Sequence, residues 1–298
     1  MSSNESRLLV KPDLTRREYI TVTPESAGWE HLSFTAVRLS KGEVWQFDTG
    51  ENELALTILG GTLDVVSNQG EWKAIGSRVD VFHGMPTVLY LSRHTRFTVT
   101  VAYGEADFAC GWAAATRDFP ARLIRPEDVS VELRGGDNAS RQINQMILPG
   151  FPCERLVVVE VYTPSGNWSS YPPHKHDVRR VDANGNVLEA DLEEVYFYKI
   201  DKPEGYAYQR CYTDDGRIDE LVRMQNDHLM LSPEGYHPVV AAPGYNVYYL
   251  NYLAGSDQSL ASTDDPRYAW VKNTWKSMDS RLPFVNLTMN KSQGVNDE

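Results

Sequence analysis

The residues best suited to chemistry lie in YPPHKHD at 171–177, in EEVYFYK at 193–199 and in GYHP at 235–238. Only seven histidines occur in 298 residues, and His174 and His176 stand two positions apart. On a β-strand, residues i and i+2 project from one face about 7 Å apart along the chain, so both rings can reach one ion. A carboxylate follows at Glu193 or Glu194, and His237 follows the turn Pro233-Glu234-Gly235. Imidazole nitrogen and carboxylate oxygen suit zinc, manganese and ferrous iron, and three histidines with one carboxylate leave room for water or substrate. A lone His-x-His in a β-protein is more often an ordinary pair. The carboxylate and the third histidine reverse that reading. A one-residue slip of the strand would exchange Glu193 for Glu194, so residue types alone leave both open. His31, His83, His94 and His228 read as solvated or hydrogen-bonded residues, and Tyr206, Tyr208 and Tyr212 as wall packing.

Such ligands need strands to hold them, and two β-rich segments are visible. The first has short Val-, Thr-, Leu- and aromatic-rich runs at 32–39, 43–47, 53–59, 62–67 and 97–103, with turns at Gly60-Gly61 and Asn68-Gln69-Gly70. The second repeats that texture at 155–162, 194–200, 205–212, 228–231 and 247–253, with turns at Asp214-Asp215-Gly216 and Pro243-Gly244. Many closely spaced short strands predict a sandwich or barrel in each half. The halves also resemble each other. Glu53 falls near Glu194, HGMPTVLYL matches EGYHPVVAA, and Gln46 and Asp48 stand where His174 and His176 do, as after a tandem duplication in which the second copy kept its metal. A charged linker is expected at 121–141. One C-terminal helix is expected at 268–278, with Trp270, Val271, Thr274, Trp275 and Met278 on a face, and fraying from Asn290 onward.

Composition narrows the partners. A net charge of −12 disfavours capture of nucleic-acid backbones or anionic lipid. Cys110, Cys153 and Cys211 fit thiols in a reducing compartment better than a disulfide framework. There is no apolar leader and no run of spanning length, so the expected location is cytoplasmic.

Taken together, HxH, a following Glu and a later PxGxH resemble the motifs of the cupin superfamily. More closely, YPPHKHD, EEVYFYK, QRCYTDDG and GYHPVVAAPGYNVYYLN resemble the bacterial 5-deoxy-glucuronate isomerases of myo-inositol catabolism, relatives of the 4-deoxy-L-threo-5-hexosulose-uronate ketol-isomerases. The resemblance is densest over 155–256. It implies an all-β bicupin of two tandem jelly-roll barrels with a few peripheral helices: residues 1–130 without a metal and 131–298 with one. It assigns the carboxylate ligand to Glu194, beside His174, His176 and His237, although DVRRVDANGNVLEADLE makes an unusually long gap before it, with a turn at its centre. It implies one divalent ion per chain, zinc first and manganese or ferrous iron as alternatives, and a small anionic sugar-acid substrate. Aldose–ketose isomerisation needs stabilisation of charge on oxygen, a base at carbon and a cation for the substrate carboxylate. Metal-bound hydroxide, Glu193 or a tyrosine such as Tyr198 is the expected base; Arg210, then Lys199 or Arg179, is the expected cation. A homo-oligomer is expected. Rival readings are a cupin dioxygenase and a non-enzymatic sugar-binding bicupin.

Overall fold

The computed structural model describes residues 6–291. Two large antiparallel sheets and two smaller ones build the two halves, each large sheet closing with a smaller one into a jelly-roll barrel. In the first half the large sheet runs, in spatial order, Arg122–Ile124, Thr87–Leu91, Asn52–Gly60, Glu105–Ala114, Leu32–Ser40 and Glu18–Val22. In the second the corresponding order is Leu9–Val10, Leu229–Ser232, Val187–Ile200, Val247–Gly255, Val157–Thr163 and Arg141–Ile147, with Ser130–Arg134 added at the edge. The small sheets match likewise: Val44–Asp48, Arg96–Thr100, Leu63–Ser67 and Gly70–Ile75 against Trp168–Ser169, Val239–Ala241, Ala207–Tyr212 and Asp219–Met224. The fold is all-β, as its strand texture and its repeat imply.

The strands exchange sheets across the halves. Leu9–Val10 pairs with Leu229–Met230, so the chain's first strand completes the second barrel. The expected linker is not a bare connection: Arg122–Ile124 joins the first large sheet, and Ser130–Arg134 joins the second, spanning the expected boundary at 130/131. The repeat also corrects the alignment by eye. Thr87–Leu91 occupies the place of Leu229–Ser232, so HGMPTVLYL does not correspond to EGYHPVVAA. Glu53 lies opposite Ala113 as Glu193 lies opposite Ala254, which makes Leu54 the counterpart of Glu194.

The main core lies between the large sheets, where Phe34 meets Phe197 and Tyr252 at ring-centroid separations of 5.5 and 5.7 Å. A second core fills the first barrel. Trp45, Leu54, Phe97 and Phe108 are buried there, with Phe47 and Trp112 packed against them. Gln46 and Asp48 are exposed on the outer face, so they do not stand where the histidines stand. The expected helix at 268–278 is a 3₁₀ segment, Ala269–Thr274, with no buried residue and Trp270 exposed. Of its expected apolar face only Val271 and Trp275 are half-buried, while Trp270, Thr274 and Met278 are exposed, and helices this short gain their stability from such packing. Asn290 is held rather than frayed: it lies in the short helix Leu287–Lys291, and its side chain accepts from Met85 N and donates to Ser77 Oγ, both at 2.7 Å. Fraying beyond residue 291 lies outside the described residues.

Candidate metal centre

Glu194 sits in mid-strand, because pairing begins at Val187 rather than at Glu194. The long gap after His176 is a β-hairpin: Asp177–Val181 folds back on Val187–Ile200, and Asp182 closes the turn by accepting from Asn184 N and Asn186 N. The pleat then sends Glu194, Tyr196 and Tyr198 to the barrel interior and Glu193, Phe197 and Lys199 to the opposite face. His174 and Lys175 form a two-residue strand against Thr263–Asp264, and His176 follows it. His237 precedes the strand Val239–Ala241 across the barrel.

These elements bring three ligand atoms together. His176, Glu194 and His237, all buried, place nitrogen or oxygen within 4.8 Å of one another. His176 Nδ1 lies 3.0 Å from the carbonyl of Leu192 and His237 Nδ1 lies 2.8 Å from that of Gly235. Donation to those carbonyls puts the proton on Nδ1 in both rings and leaves Nε2 as a lone pair. The two Nε2 atoms stand 3.0 and 3.3 Å from Glu194 Oε2. His237 Nε2 is buried with no aligned hydrogen bond. Lone pairs converging on a carboxylate repel unless a positive charge lies among them, so the trio fits a divalent cation. Protonation tells the same story. Burial disfavours ionised Glu194, yet His176 and His237 outweigh it and hold its carboxyl at about 2. Burial likewise opposes a charge on His176, and Glu194 overcomes that too, raising its affinity for a proton. His174 lies just outside the trio, its ring centroid 5.0 Å from that of His237 and 6.3 Å from that of His176. Burial first, then its two histidine neighbours, keep it neutral and able to ligate.

The centre opens into a cavity of about 130 Å³ lined by His174, His176, Glu194, Tyr196, Tyr249 and Arg141, among others. Of the residues expected to act on substrate, none lines it. Glu193 accepts hydrogen bonds from the backbone of Glu30, His31 and Leu32 in the first half. Lys199 is clamped between Asp107 and Asp227, 2.6 Å from each. Tyr198 faces inward but lies behind the cavity, donating to Gln209 Oε1 at 2.8 Å. Arg210 pairs with Asp219 outside the barrel and stacks on Tyr212, and Arg179 pairs with Asp257. Sequence reasoning missed Arg141, Ser170 and Tyr249. Ser170 Oγ lies 3.3 and 3.4 Å from the hydroxyls of Tyr196 and Tyr249, at a left-handed φ of 49° that non-glycine residues rarely adopt.

Comparison with known proteins places this geometry. The sequence profile of the KduI/IolB family matches residues 8–271. This chain belongs to the KduI/IolB family. The 5-deoxy-glucuronate isomerase of Geobacillus thermodenitrificans is 41% identical over 264 residues, 88% of this chain and 92% of that protein. That of Bacillus subtilis strain 168 is 34% identical over 252 residues, 84% of this chain and 91% of its own. An IolB-like protein of Salmonella typhimurium, solved crystallographically, superposes with a TM-score of 0.85 at 33% identity, covering 89% of this chain and 99% of that one. Bacillus subtilis oxalate decarboxylase shares the cupin architecture alone, with a TM-score of 0.56 at 10% identity over 82% of this chain and 74% of that one.

Proposed function

We propose that this chain is a metal-dependent aldose–ketose isomerase that converts 5-deoxy-glucuronate to 5-dehydro-2-deoxy-gluconate in myo-inositol catabolism. Family membership supports the isomerase class, and the observation that carries the substrate is the match of 5-deoxy-glucuronate isomerases to more than four-fifths of the chain. His174, His176, Glu194 and His237 are the proposed ligands. Zinc is the proposed ion, since the reaction has no net redox change, with manganese or ferrous iron as alternatives. When bound, the ion would stabilise negative charge developing on the substrate's carbonyl oxygen.

The chain's own residues supply the rest. The two backbone carbonyls that accept from His176 and His237 aim both Nε2 atoms inward. Burial, then Glu194, raises the Tyr196 hydroxyl well above its ordinary range, so it stays protonated at neutral pH. Burial also raises the Tyr249 hydroxyl above its ordinary value. Both therefore act as hydrogen-bond donors rather than as bases at carbon. With Ser170 they form a chain of hydroxyls along which a proton can pass between two substrate oxygens. Glu193 and Lys199 serve to join the halves and are not part of the reacting centre.

The second half is proposed to hold one ion per chain, the first half none, with the boundary near residue 130. Among the described residues no helix is long and apolar enough to cross a membrane. A cytoplasmic location is proposed from the family's metabolic role, and a homo-oligomer from the readiness of β-sheet edges to pair with a second copy. Elemental analysis combined with an anaerobic assay on 5-deoxy-glucuronate tests the reading. Turnover without oxygen at one ion per chain is expected, and His237→Ala is expected to lose the ion and at least a thousandfold of kcat/KM. Activity that survives in metal-free His237→Ala protein would sink the metal mechanism, and strict oxygen dependence would favour a dioxygenase.

A further inference from the structure

The cavity wall contains a cation with which no carboxylate of the described residues is in contact; the nearest that acts on it, Glu132, does so only at a distance. Arg141, on the strand Arg141–Ile147, is 5% exposed, and burial lowers its affinity for its proton. Among the described residues it makes one hydrogen bond, a long one of 3.4 Å from Nη1 to the carbonyl of Tyr171. Among the described residues no carboxylate forms an ion pair with it. Most of its five N–H donors therefore have no partner among the described residues.

Other buried cations of this chain show what the fold does when the role is structural. Arg78, 2% exposed, donates to both oxygens of Glu160 at 3.1 and 3.0 Å, and to the carbonyl of Ile58 at 3.0 Å. Lys199 has two carboxylates at 2.6 Å. Even at the cavity mouth Arg134 is matched, its Nε and Nη2 donating to Glu132 at 2.8 and 2.7 Å. A desolvated guanidinium without a counter-charge is costly, and a planar fork of donors matches a carboxylate bidentately. Arg141 lines the same cavity as His174, His176 and Glu194.

We propose that Arg141 is the specificity-determining residue that binds the carboxylate of the substrate, holding the sugar acid by its charged end while the opposite end faces the candidate ligands. Which sugar is held rests on the isomerase reading; the recognition of a carboxylate rests on Arg141 alone. The site then discriminates an acid from the neutral sugar of the same skeleton, because only the acid supplies the missing negative charge.

The test compares 5-deoxy-glucuronate with 5-deoxy-glucose, which carries CH₂OH in place of the carboxylate, on zinc-loaded protein. Both kcat/KM and calorimetric affinity are measured. The wild type is expected to favour the acid at least 100-fold. Arg141→Gln is expected to lose at least 100-fold on the acid, mainly through KM, and to change threefold or less on the neutral sugar, with one ion per chain and an unchanged melting temperature. Arg141→Lys is expected to recover part of the loss. Equal losses on both sugars, or an unchanged KM for the acid in Arg141→Gln, would overturn the proposal. If Arg141→Gln fails to fold, the wild-type comparison still decides, since equal affinity for the two sugars overturns the anchor. If the wild type turns over neither sugar but binds the acid 100-fold more tightly, and Arg141→Gln removes that preference, the anchor stands and the isomerase reading falls.

Discussion

Consecutive residues on one strand leave in opposite directions, and Glu193 and Glu194 show how much that decides. Glu194 meets two imidazoles inside the barrel; Glu193 collects three backbone N–H groups from the first half. The two carboxylates should therefore fail differently. Glu194→Gln is expected to remove the bound ion while leaving the fold nearly as stable. Glu193→Ala is expected to keep the ion and cost about 2 kcal/mol in urea unfolding, because it strands three backbone donors, the buried N–H of Leu32 among them, that were paired with a charge. Elemental analysis and denaturation curves on the same two variants check this. Loss of the ion from Glu193→Ala, with the ion retained in Glu194→Gln, would exchange their roles.

At the scale of the element, close approach of the two large sheets depends on a strand position without a side chain. Gly111, on the strand Glu105–Ala114, faces Tyr252 so closely that an added Cβ would fall 2.3 Å from the ring. The ring cannot retreat, since it is buried and its hydroxyl lies 2.7 Å from Thr57 Oγ1 and donates to the carbonyl of Ala55 at 3.0 Å. Gly111→Ala is expected to destabilise the protein by about 2 kcal/mol through overpacking, with the bound ion retained. Thermal unfolding measures it, and an unchanged melting temperature would contradict the packing account.

In the whole molecule, reciprocal carboxylates lock the halves. Glu193 of the second barrel accepts from residues 30–32, and Glu53 of the first accepts from the backbone of Glu154, Arg155 and Leu156 at 2.7, 2.6 and 3.0 Å. Arg78 and Glu160 form a fully buried pair across the same interface. A third tie joins Lys199 and Arg38 to Asp227. Burial alone would raise the Asp227 pKa, but Lys199 and Arg38 hold it below the ordinary 3.8. A depressed carboxylate stabilises the fold above its unfolded pKa, and that contribution disappears as pH falls through the folded value. Wild-type stability should thus decline below about pH 3.8. Asp227→Asn should be less stable at neutral pH by about 2 kcal/mol, the cost of leaving the buried Lys199 and the half-exposed Arg38 each one carboxylate short. It should also show a shallower acid decline. Asparagine tolerates the left-handed φ of 64° at this position, so the substitution isolates the charge. Matching acid profiles for the two proteins would refute the assignment.

Much of this was legible in local chemistry. Alternating short strands separated by turn residues specify an all-β repeat, and the spacing of His174, His176 and His237 around Glu193 or Glu194 points to a candidate metal site, because both depend on residue type and near neighbours. Other assignments depended on which strands lie side by side. Arg210 and Lys199 looked like cations for a substrate, but each has a carboxylate supplied from elsewhere in the fold. Arg141 looked like part of a linker, yet it became the unmatched charge in the cavity. The apolar spacing at 268–278 buries no residue fully, and Leu9–Val10 crosses to the opposite barrel. Sequence by itself determined the chemistry available to this protein and the repeat that carries it. Tertiary structure alone decided which charges are already neutralised, since counter-charges come from residues distant in the chain, and only a cation left unmatched remains to bind a ligand.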